Sequence, residues 1–546
     1  MDVDERQTKL AVWSQDSDFR FDDVFNLACH EDWLRRAYFS VKSNSGASTP
    51  GVDGQTMEDF SEDLEENLKN LREELKSQSF DPKPVRRTYI PKGDGRERPL
   101  GIPTIKDRIV QEALRMVLEP IYETDFSDNS FGFRPNRCTM DAIRTVSAVL
   151  NPSFVSYMPW VLDVDIKGFF DNVDHQVLEQ TIQDRITDQK FRDLIWDFLK
   201  AGVMEDGTTR YSALGTPQGG IVSPILANIY LNKLDQWVKN WTEENEAEKK
   251  RRQSRGKGAW KYVRYADDFL LLTNGRRKEA EEMLERVEGF VSEELNLTLS
   301  DKKTRIVHAE SGFGFLGYRL EAGDGPEEGL HRKIPKEAEK DIKSKIRGAT
   351  EGDTDVSARI KIIALNAVLR GWANHYRYAT NASKIFNQLD HFTWKKVTGW
   401  LSGKYKCSRS ELVNKKLTSS APISINDATL VTLSGRVENY TETWKKNGHP
   451  YLDNKDLERE DFPDEDPWLG NVETVKGWRD ARHYALERDK WKCQECGTDL
   501  EGQDAHVHHI RPKSGYINHV EANRLGNLKS LCAECHREIE SNRKSA

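Results

Sequence analysis

The amino-acid sequence predicts an α+β protein of several domains, and three observations carry this prediction. The chain has 546 residues, which is long for a single hydrophobic core. Residues 85–320 alternate between helix-like and strand-like hydrophobic patterns, whereas residues 321–405 are mainly helical in pattern. Four cysteines near the C-terminus form two Cys-x-x-Cys pairs, a spacing typical of a small metal-stapled module.

The hydropathy of the chain predicts no membrane partner. No apolar run approaches the roughly 20 residues that span a bilayer. The first ten residues, MDVDERQTKL, are acidic where a targeting segment would be basic.

Seven cysteines in a chain of this size favour a reducing compartment over a disulfide scaffold. We expect a prokaryotic cytoplasmic protein, with an organelle as the alternative.

Residues 1–84 are predicted to be helical. They form an N-terminal extension that leads into the mixed region, residues 85–320, where helix-like and strand-like patterns alternate. The segment DFSEDLEENLKNLREELKSQ, residues 59–78, places its apolar residues at helical spacing.

The stretch VRYADDFLLL, residues 263–272, interrupts a buried-strand pattern with two adjacent carboxylates, Asp267 and Asp268. An ionised carboxylate is costly to bury without a partner. The sequence therefore predicts a tight turn at residues 266–268, a bound cation, or both. Two acids at an exposed hairpin tip are the simpler alternative.

A second strand pattern, WVLDVDIKGFFDNVDH at residues 160–175, also contains acids. Because side chains alternate along a strand, Asp163 and Asp165 share one face. Two such strands can converge on a pair of divalent ions, and hard oxygen ligands suit Mg²⁺. The candidate metal and catalytic site is Asp165, Asp267 and Asp268.

Seven sequence blocks, in order, resemble a group II intron reverse transcriptase. Besides YADD with its partner DIKGFFD, they are PGVDGQT (50–56), YIPKGDGRERPLGIPTIKDRIVQEAL (89–114), FGFRPNRCTMDAI (131–143), GTPQGGIVSPILANIYLNKLD (215–235), LTLSDKKTRIV (297–307) and FLGY (315–318). The resemblance implies a right-hand polymerase, with fingers and an antiparallel palm sheet over residues 85–320. It implies a helical thumb, or X domain, over residues 321–405.

The resemblance also implies roles in the palm. It places the first-strand ligand just before Ile166, at Asp165, which leaves Asp163 as the second choice. A bulky side chain after this strand excludes a ribose 2′-hydroxyl, and Phe170 lies at that position, with Phe169 as its neighbour. The implied nucleotide-binding residues are Lys92, Arg98, Phe170, Gln218 and Lys303, of which Lys303 would lie near the pyrophosphate and Lys302 would be a surface lysine.

The thumb segment LNAVLRGWANHYRYAT combines a helical core pattern with basic and aromatic residues. Such a mixture can stack on and pair with RNA. The predicted RNA-binding residues are Arg370, Trp372, His375, Tyr376 and Arg377. The apolar positions among them are also explained by a helical core.

Residues 406–452 are poorly patterned, and only their position suggests a DNA-binding region. Residues 453–470 form an acidic linker: the run Asp453 to Asp466 has a net charge of −6 within a chain of −8. An acidic nucleic-acid enzyme would suit the high-salt cytoplasm of a halophile.

Residues 471–546 form a separate module. Its four thiols suit one structural zinc ion: Cys493, Cys496, Cys532 and Cys535. A zinc knuckle with a long insert is the alternative.

The insert between the cysteine pairs resembles an HNH endonuclease. That resemblance implies that His508 and His536 bind Mg²⁺ or a similar ion, that His509 is the general base, and that Asn527 orients His509. We assign no role to His506 and His519.

This combination of domains resembles the protein of a mobile group II intron. The implied functions are copying of intron RNA into DNA during retrohoming, assistance to splicing, and nicking of the second DNA strand. The implied partners are intron RNA in a ribonucleoprotein, target DNA and deoxynucleoside triphosphates, and a dimer is left open. The alternatives are a retron, diversity-generating or defence reverse transcriptase, an RNA-binding splicing cofactor without polymerase activity, and a homing endonuclease with a structural N-terminus.

Overall fold

The computed structural model of the chain describes residues 1–44, 46–91, 97–205, 208–210, 215, 219–325, 328–352, 356–416, 423–425, 428–440, 448–452, 485–486, 488–498, 500, 506–509, 528–532 and 535–536.

The N-terminal region is helical, as its sequence pattern predicts. Thr56 and Asp59 form a reciprocal capping box that starts the fourth helix. The third and fifth helices bury apolar faces against the rest of the chain. The five helices are α1 (Val3–Ser14), α2 (Phe25–Ala28), α3 (Glu31–Ser43), α4 (Met57–Glu62) and α5 (Leu64–Lys76).

The following region, through residue 210, holds the first sheet and the first palm strand. Its elements are β1 (Val85–Pro91), β2 (Glu97–Ile102), α6 (Ile105–Tyr122), α7 (Thr139–Leu150), β3 (Trp160–Asp165), α8 (Phe169–Asn172), α9 (His175–Gln183), α10 (Gln189–Lys200), β4 (Val203–Glu205) and β5 (Thr208–Arg210). The order of the first sheet is β2-β1-β4-β5, in which β1 and β4 are parallel and the other pairs antiparallel.

The second part of the mixed region completes a four-stranded antiparallel palm sheet. Its elements are α11 (Ser223–Thr242), α12 (Glu246–Ser254), β6 (Trp260–Tyr265), β7 (Asp268–Thr273), α13 (Arg277–Glu293) and β8 (Arg305–His308). The strand order is β6-β7-β3-β8. This sheet places the two acidic strand patterns next to each other.

A small antiparallel sheet and long helices follow the palm. They are β9 (Phe313–Phe315), β10 (Tyr318–Ala322), β11 (Leu330–Lys333), α14 (Lys336–Thr350), α15 (Ala358–Tyr376), α16 (Ala382–Tyr405) and α17 (Arg409–Lys416), then the short pair β12 (Ser424–Ile425) and β13 (Ala428–Thr429). The last described pair is β14 (His506–His509) with β15 (Leu528–Leu531).

Two large hydrophobic clusters support these regions. One joins the N-terminal helices and α6 to the palm helices. The other joins α7 and one face of the palm sheet, through residues of β3, β6 and β7, to the thumb helices. Among the described residues, no helix has the length and apolar character needed to cross a bilayer.

The end of the 406–452 region returns to the N-terminal half. Tyr451 donates a hydrogen bond of 2.5 Å from its hydroxyl to Glu119 on α6. The predicted acidic linker, residues 453–470, lies outside the described residues.

Candidate active site

The YADD stretch forms a hairpin turn between β6 and β7. Ala266 has a φ of +57°, in the left-handed region that tight turns use. Asp267 lies in the turn and Asp268 is the first residue of β7. In the β3–β7 register, Asp268 is directly opposite Asp165. The turn and the sheet together bring the three predicted carboxylates into one place.

Asp268 lies in surroundings that disfavour its charged form. Incomplete hydration in the site, reinforced by the charges of Asp267 and Asp165, raises the pKa of Asp268 to about 6, even though its side chain retains solvent contact. Lys303 partly offsets this repulsion, because its ammonium lies 2.7 Å from Oδ1 of Asp165. The oxygen donors and the raised pKa both fit a site for divalent cations.

Asp163 has its own cationic partner. Arg305 on β8 donates to Oδ2 of Asp163 from Nε at 2.9 Å and from Nη2 at 2.8 Å. Burial raises the pKa of Asp163, and Arg305 opposes that rise. Asp163 thus accepts two hydrogen bonds from a guanidinium on the adjoining strand, whereas the partner of Asp165 is a single ammonium on an exposed lysine. This difference is compatible with Asp165 as the ligand on β3.

The two phenylalanines after β3 have different environments. Phe169 is buried in the core, with its ring centroid 6.2 Å from that of Tyr230. Phe170 is half-buried and packs against Phe169 at 5.3 Å between centroids. A Cβ on Gly215 would lie 2.9 Å from the carbonyl oxygen of Phe170, so the neighbouring chain packs closely there. Of the two, Phe170 is the residue whose side chain is partly exposed.

The remaining predicted nucleotide-binding positions are only partly described. Arg98 pairs with Ile90 in the β1–β2 register, but its side chain lies outside the described residues, as do Lys92 and Gln218. A Cβ on Gly219, which has a φ of +108°, would lie 2.3 Å from the Gly101 oxygen. The glycine of the PQGG motif therefore permits a close approach to strand β2.

The predicted RNA-binding residues of α15 divide between core and surface. Arg370 is exposed. Tyr376 is 6% exposed and donates a 3.0 Å hydrogen bond to the Gly317 oxygen. The structure thus corrects its assignment to an RNA-facing surface, because its hydroxyl and ring are both used within the core.

The other three members of that set lie at the margin of the core. The Trp372 ring packs against Phe386, with centroids 5.6 Å apart. Burial lowers the pKa of His375, whose ring lies 5.3 Å from that of Tyr318. Arg377 forms an ion pair with Glu438 at 3.1 Å.

The four C-terminal cysteines converge as a metal site would require. The sulfur atoms of Cys493, Cys496, Cys532 and Cys535 all lie within 4.8 Å of one another. The Sγ atoms of Cys496 and Cys532 are 3.8 Å apart, close to the ~3.8 Å edge of a tetrahedron with zinc–sulfur bonds of about 2.3 Å.

The thiols of this cluster differ in how readily they ionise. A hydrogen bond with the Thr498 hydroxyl lowers the pKa of Cys496 to about 6. Hydrogen bonds with Cys532 and the other cysteine thiols raise the pKa of Cys535. The residues present therefore fit a structural zinc ion.

Strand β14 carries the histidines of the module. The His508 ring centroid lies 5.3 Å from that of His536, so the two predicted ion ligands are neighbours. His506 stacks on His536 at 4.8 Å and is thus a member of this cluster. The spacing of two residues between His506 and His508 predicts a shared strand face, and this was the sequence signal for the contact.

The other proposed catalytic residues of the module are not described in full. His509 pairs through its backbone with Leu528, but its side chain lies outside the described residues, as do Asn527 and His519.

Three family models match successive parts of the chain. They are reverse transcriptase (RNA-dependent DNA polymerase) at residues 90–320, the maturase-specific domain of group II introns at residues 339–417, and HNH endonuclease at residues 493–542.

Several known proteins are similar to this chain over much of its length. The chain is 30% identical to the group II intron-encoded protein LtrA of Lactococcus lactis, over 96% of this chain and 97% of LtrA. It is 40% identical to the protein YkfC of Escherichia coli over 59% of this chain and 88% of YkfC. A 91 kDa protein in the cob intron of Schizosaccharomyces pombe is 27% identical over 94% of this chain and 69% of its own length.

Proposed function

Because this chain belongs to the group II intron-encoded proteins, and so is an RNA-directed DNA polymerase with maturase and HNH endonuclease domains, we propose which of its residues carry each activity. Polymerisation takes place at Asp165, Asp267 and Asp268. The observation that carries this proposal is the register of β3 and β7, which sets Asp165 opposite Asp268 beside the turn that holds Asp267.

The polymerase reaction is attack of a primer 3′-hydroxyl on the α-phosphate of a deoxynucleoside triphosphate, with pyrophosphate as the leaving group. Two Mg²⁺ ions bound by the three carboxylates would lower the pKa of the hydroxyl and stabilise the leaving group. Asp165 and Asp268 hold their oxygens at fixed positions on paired strands. Lys303, released from Asp165 when cations bind, is then free to meet the phosphates.

Residues around this centre select the sugar and bind the incoming nucleotide. Phe170 presents a ring beside the end of β3, where it excludes a ribose 2′-hydroxyl, while Phe169 packs in the core. Lys92 and Arg98 close on the triphosphate from the β1–β2 hairpin, and Gln218 contacts the new base pair. These last three assignments rest on the sequence resemblance.

The remaining domains act on intron RNA and target DNA. The maturase region binds the intron through exposed cations such as Arg370. The C-terminal module holds zinc on its four thiolates and a divalent ion at His508 and His536, with His509 as general base and Asn527 as its orienting partner. This set of activities lets the intron ribonucleoprotein enter DNA, nick the second strand and copy the RNA.

Two features support this function over the alternatives. The match to the maturase-specific domain favours an intron protein over a retron or defence reverse transcriptase. The intact carboxylate set favours an active polymerase over a splicing cofactor with a relic palm. The setting we propose is cytoplasmic and reducing: all seven cysteines are described, and none of them forms a disulfide.

The polymerase site is tested with the matched variants Asp165→Asn and Asp163→Asn. RNA-templated primer extension and intron-RNA affinity are measured for both. Asp165→Asn is expected to abolish extension and to retain RNA affinity, since the carboxylate binds metal and not phosphate. Asp163→Asn is expected to keep substantial extension. Extension at the wild-type rate by Asp165→Asn would refute the assignment.

A further inference from the structure

A buried ion pair lies directly behind the catalytic turn. The side chains of Arg264 on β6 and Asp235 on α11 are fully buried, and the guanidinium donates to the two carboxylate oxygens at 2.7 and 2.5 Å. The Tyr262 hydroxyl donates to the same carboxylate at 2.7 Å. A buried ion pair is often no more stabilising than a well-packed hydrophobic pair. Stability alone therefore does not account for this pair.

The third nitrogen contact of Arg264 reaches the turn itself. Its Nη1 donates to the carbonyl oxygen of Ala266 at 2.9 Å. Ala266 has the left-handed φ of +57°, which residues with a Cβ disfavour. The hydrogen bond thus fixes the strained peptide group that joins Ala266 to Asp267.

The same guanidinium links the turn to the FGFRP motif. Nη1 of Arg264 also donates to Oδ1 of Asn228 at 3.0 Å. The Nδ2 atom of the fully buried Asn228 donates to the oxygen of Gly132 at 2.9 Å. A Cβ on Gly132 would lie 2.4 Å from the Ala266 nitrogen, so the motif backbone lies directly against the turn.

The backbone of Arg264 makes the same connection. Its nitrogen donates to the Asn129 oxygen at 2.8 Å, and the Phe131 nitrogen donates to its oxygen at 2.9 Å. Side chain and main chain of this one residue therefore hold the turn and the FGFRP segment together.

We propose that Arg264, supported by Asp235 and Asn228, is a positioning residue for DNA synthesis. It fixes the Ala266 peptide and so sets the separation between the carboxylates of Asp267 and Asp268 and that of Asp165. The charge of the buried Asp235 keeps the guanidinium oriented. Asn228 connects the guanidinium to the FGFRP segment through its hydrogen bonds to Arg264 and Gly132. This inference rests on the proposed function, in which the three aspartates bind the catalytic ions.

The test uses Arg264→Lys and Asn228→Ala in the full-length chain. Lysine keeps the charge beside Asp235 but has no planar fork that can reach Asp235 and the Ala266 oxygen together. Asn228→Ala leaves the ion pair in place. For both variants, kcat, the KM for deoxynucleotide, the half-saturating Mg²⁺ concentration, intron-RNA affinity and Tm are measured.

We expect kcat to fall by about 10- to 100-fold in Arg264→Lys, since small displacements of reacting groups have effects of that size. The half-saturating Mg²⁺ concentration rises, while the KM for deoxynucleotide and the RNA affinity stay within about twofold of wild type. Asn228→Ala shows the same pattern with a smaller loss of kcat. A residue with a purely structural role would lower Tm without moving kcat or the Mg²⁺ requirement.

Arg185→Lys is the matched control. Arg185 is also buried, pairs with Asp125 at 3.1 Å and donates to the main-chain oxygens of Ser14 and Asp16, away from the turn. This variant is expected to lower Tm and to leave kcat, measured well below Tm, unchanged.

The outcomes separate the inference from the function on which it rests. Wild-type kcat and Mg²⁺ dependence in both variants would overturn the positioning role, and Asn228→Ala alone decides if Arg264→Lys does not fold. Parallel loss of RNA affinity and kcat would also overturn it. Asp267→Asn is run in the same assay, and its activity would instead refute the polymerase site.

Discussion

The ammonium group of Lys303 lies 2.7 Å from Oδ1 of Asp165. The contact raises the pKa of Lys303, because the carboxylate stabilises its charged form. The turn that carries Lys303 is hydrogen-bonded to the end of β3, because the main-chain nitrogen of Ser300 donates to the main-chain carbonyl oxygen of Asp165 at 2.8 Å. In the proposed metal site, Lys303 and a divalent cation would therefore compete for the Asp165 carboxylate.

This competition predicts two opposite effects of Lys303→Gln. The half-saturating Mg²⁺ concentration should fall, because no ammonium must be displaced from Asp165. The value of kcat should also fall, by about tenfold or more, if the released lysine stabilises the departing pyrophosphate. Both are measured in primer extension against Mg²⁺. Lys302→Gln, at the exposed neighbour, should change neither, and equal effects of the two variants would contradict the prediction.

The raised pKa of Asp268 predicts a pH-dependent stability of the metal-free protein. Its folded-state pKa of about 6 lies above the ordinary value of 3.8, so the folded state binds the proton more tightly than the unfolded state does. The free energy of unfolding should therefore decrease as pH rises from about 4 to 6 and carry the full penalty above that window. Asp268→Asn should be more stable than wild type at pH 7.5 in EDTA.

The measurement is urea unfolding of both proteins at pH 4 and pH 7.5, with and without Mg²⁺. The advantage of Asp268→Asn should shrink at the lower pH and on adding Mg²⁺. An advantage that is independent of both would mean that repulsion between the carboxylates is not its cause.

Sugar discrimination is predicted to depend on Phe170. Phe170→Ala should raise ribonucleotide incorporation far more than it lowers deoxynucleotide incorporation, because the lost ring clashes only with a 2′-hydroxyl. The ratio of kcat/KM for the two nucleotides measures this. Phe169→Leu should lower Tm while retaining discrimination, since Phe169 is buried; the reverse result would transfer the role to Phe169.

Sequence patterns were sufficient to predict the acids of the site but not all of their partners. Period-two alternation placed Asp163 and Asp165 on one face and left the choice between them to family resemblance. One structural observation bears on that choice: Arg305, which is 142 positions from Asp163 along the chain, pairs with Asp163 because β8 pairs with β3. Long-range strand pairing of this kind leaves no local sequence pattern.

The same limit explains Tyr376 and Arg264. A helical segment with aromatic and basic residues is compatible with a core, an RNA surface, or both, and only the contact with Gly317 assigns Tyr376 to the core. Arg264 looked like one more residue of a strand, because its partner Asp235 lies on another element. The position of His506 on the same strand face as His508 could have been predicted from their spacing alone.

The division of α15 into core and surface predicts different effects at Arg370 and Tyr376. Arg370→Ala should weaken intron-RNA binding and reduce the slope of log K against log salt concentration by about 1 if it contacts one phosphate. Tyr376→Phe should lower Tm, through loss of its hydrogen bond to Gly317, with RNA affinity unchanged. Binding titrations at several salt concentrations and thermal unfolding measure the two quantities. Loss of RNA affinity in Tyr376→Phe at unchanged Tm would instead assign Tyr376 to the RNA-binding surface.

The last prediction separates the two metal sites of the C-terminal module. His509→Ala should keep zinc and protease resistance while second-strand nicking stops, because a general base is not a structural ligand. Cys493→Ala should lose all three, since it opens a four-thiolate site on which a very small core depends. Zinc content, protease resistance and nicking of the target DNA are measured side by side.

His506→Ala extends this comparison to a histidine that the structure places beside the predicted ion ligand His536. Its ring stacks on that of His536 at 4.8 Å, so its loss should weaken the affinity for the divalent ion used in nicking while zinc stays bound. Primer extension should be unaffected in all three variants, because the polymerase carboxylates belong to the palm sheet. If His509→Ala nicks normally, or loses zinc together with Cys493→Ala, the histidines and cysteines form one structural site and the assignment of a separate cutting centre fails.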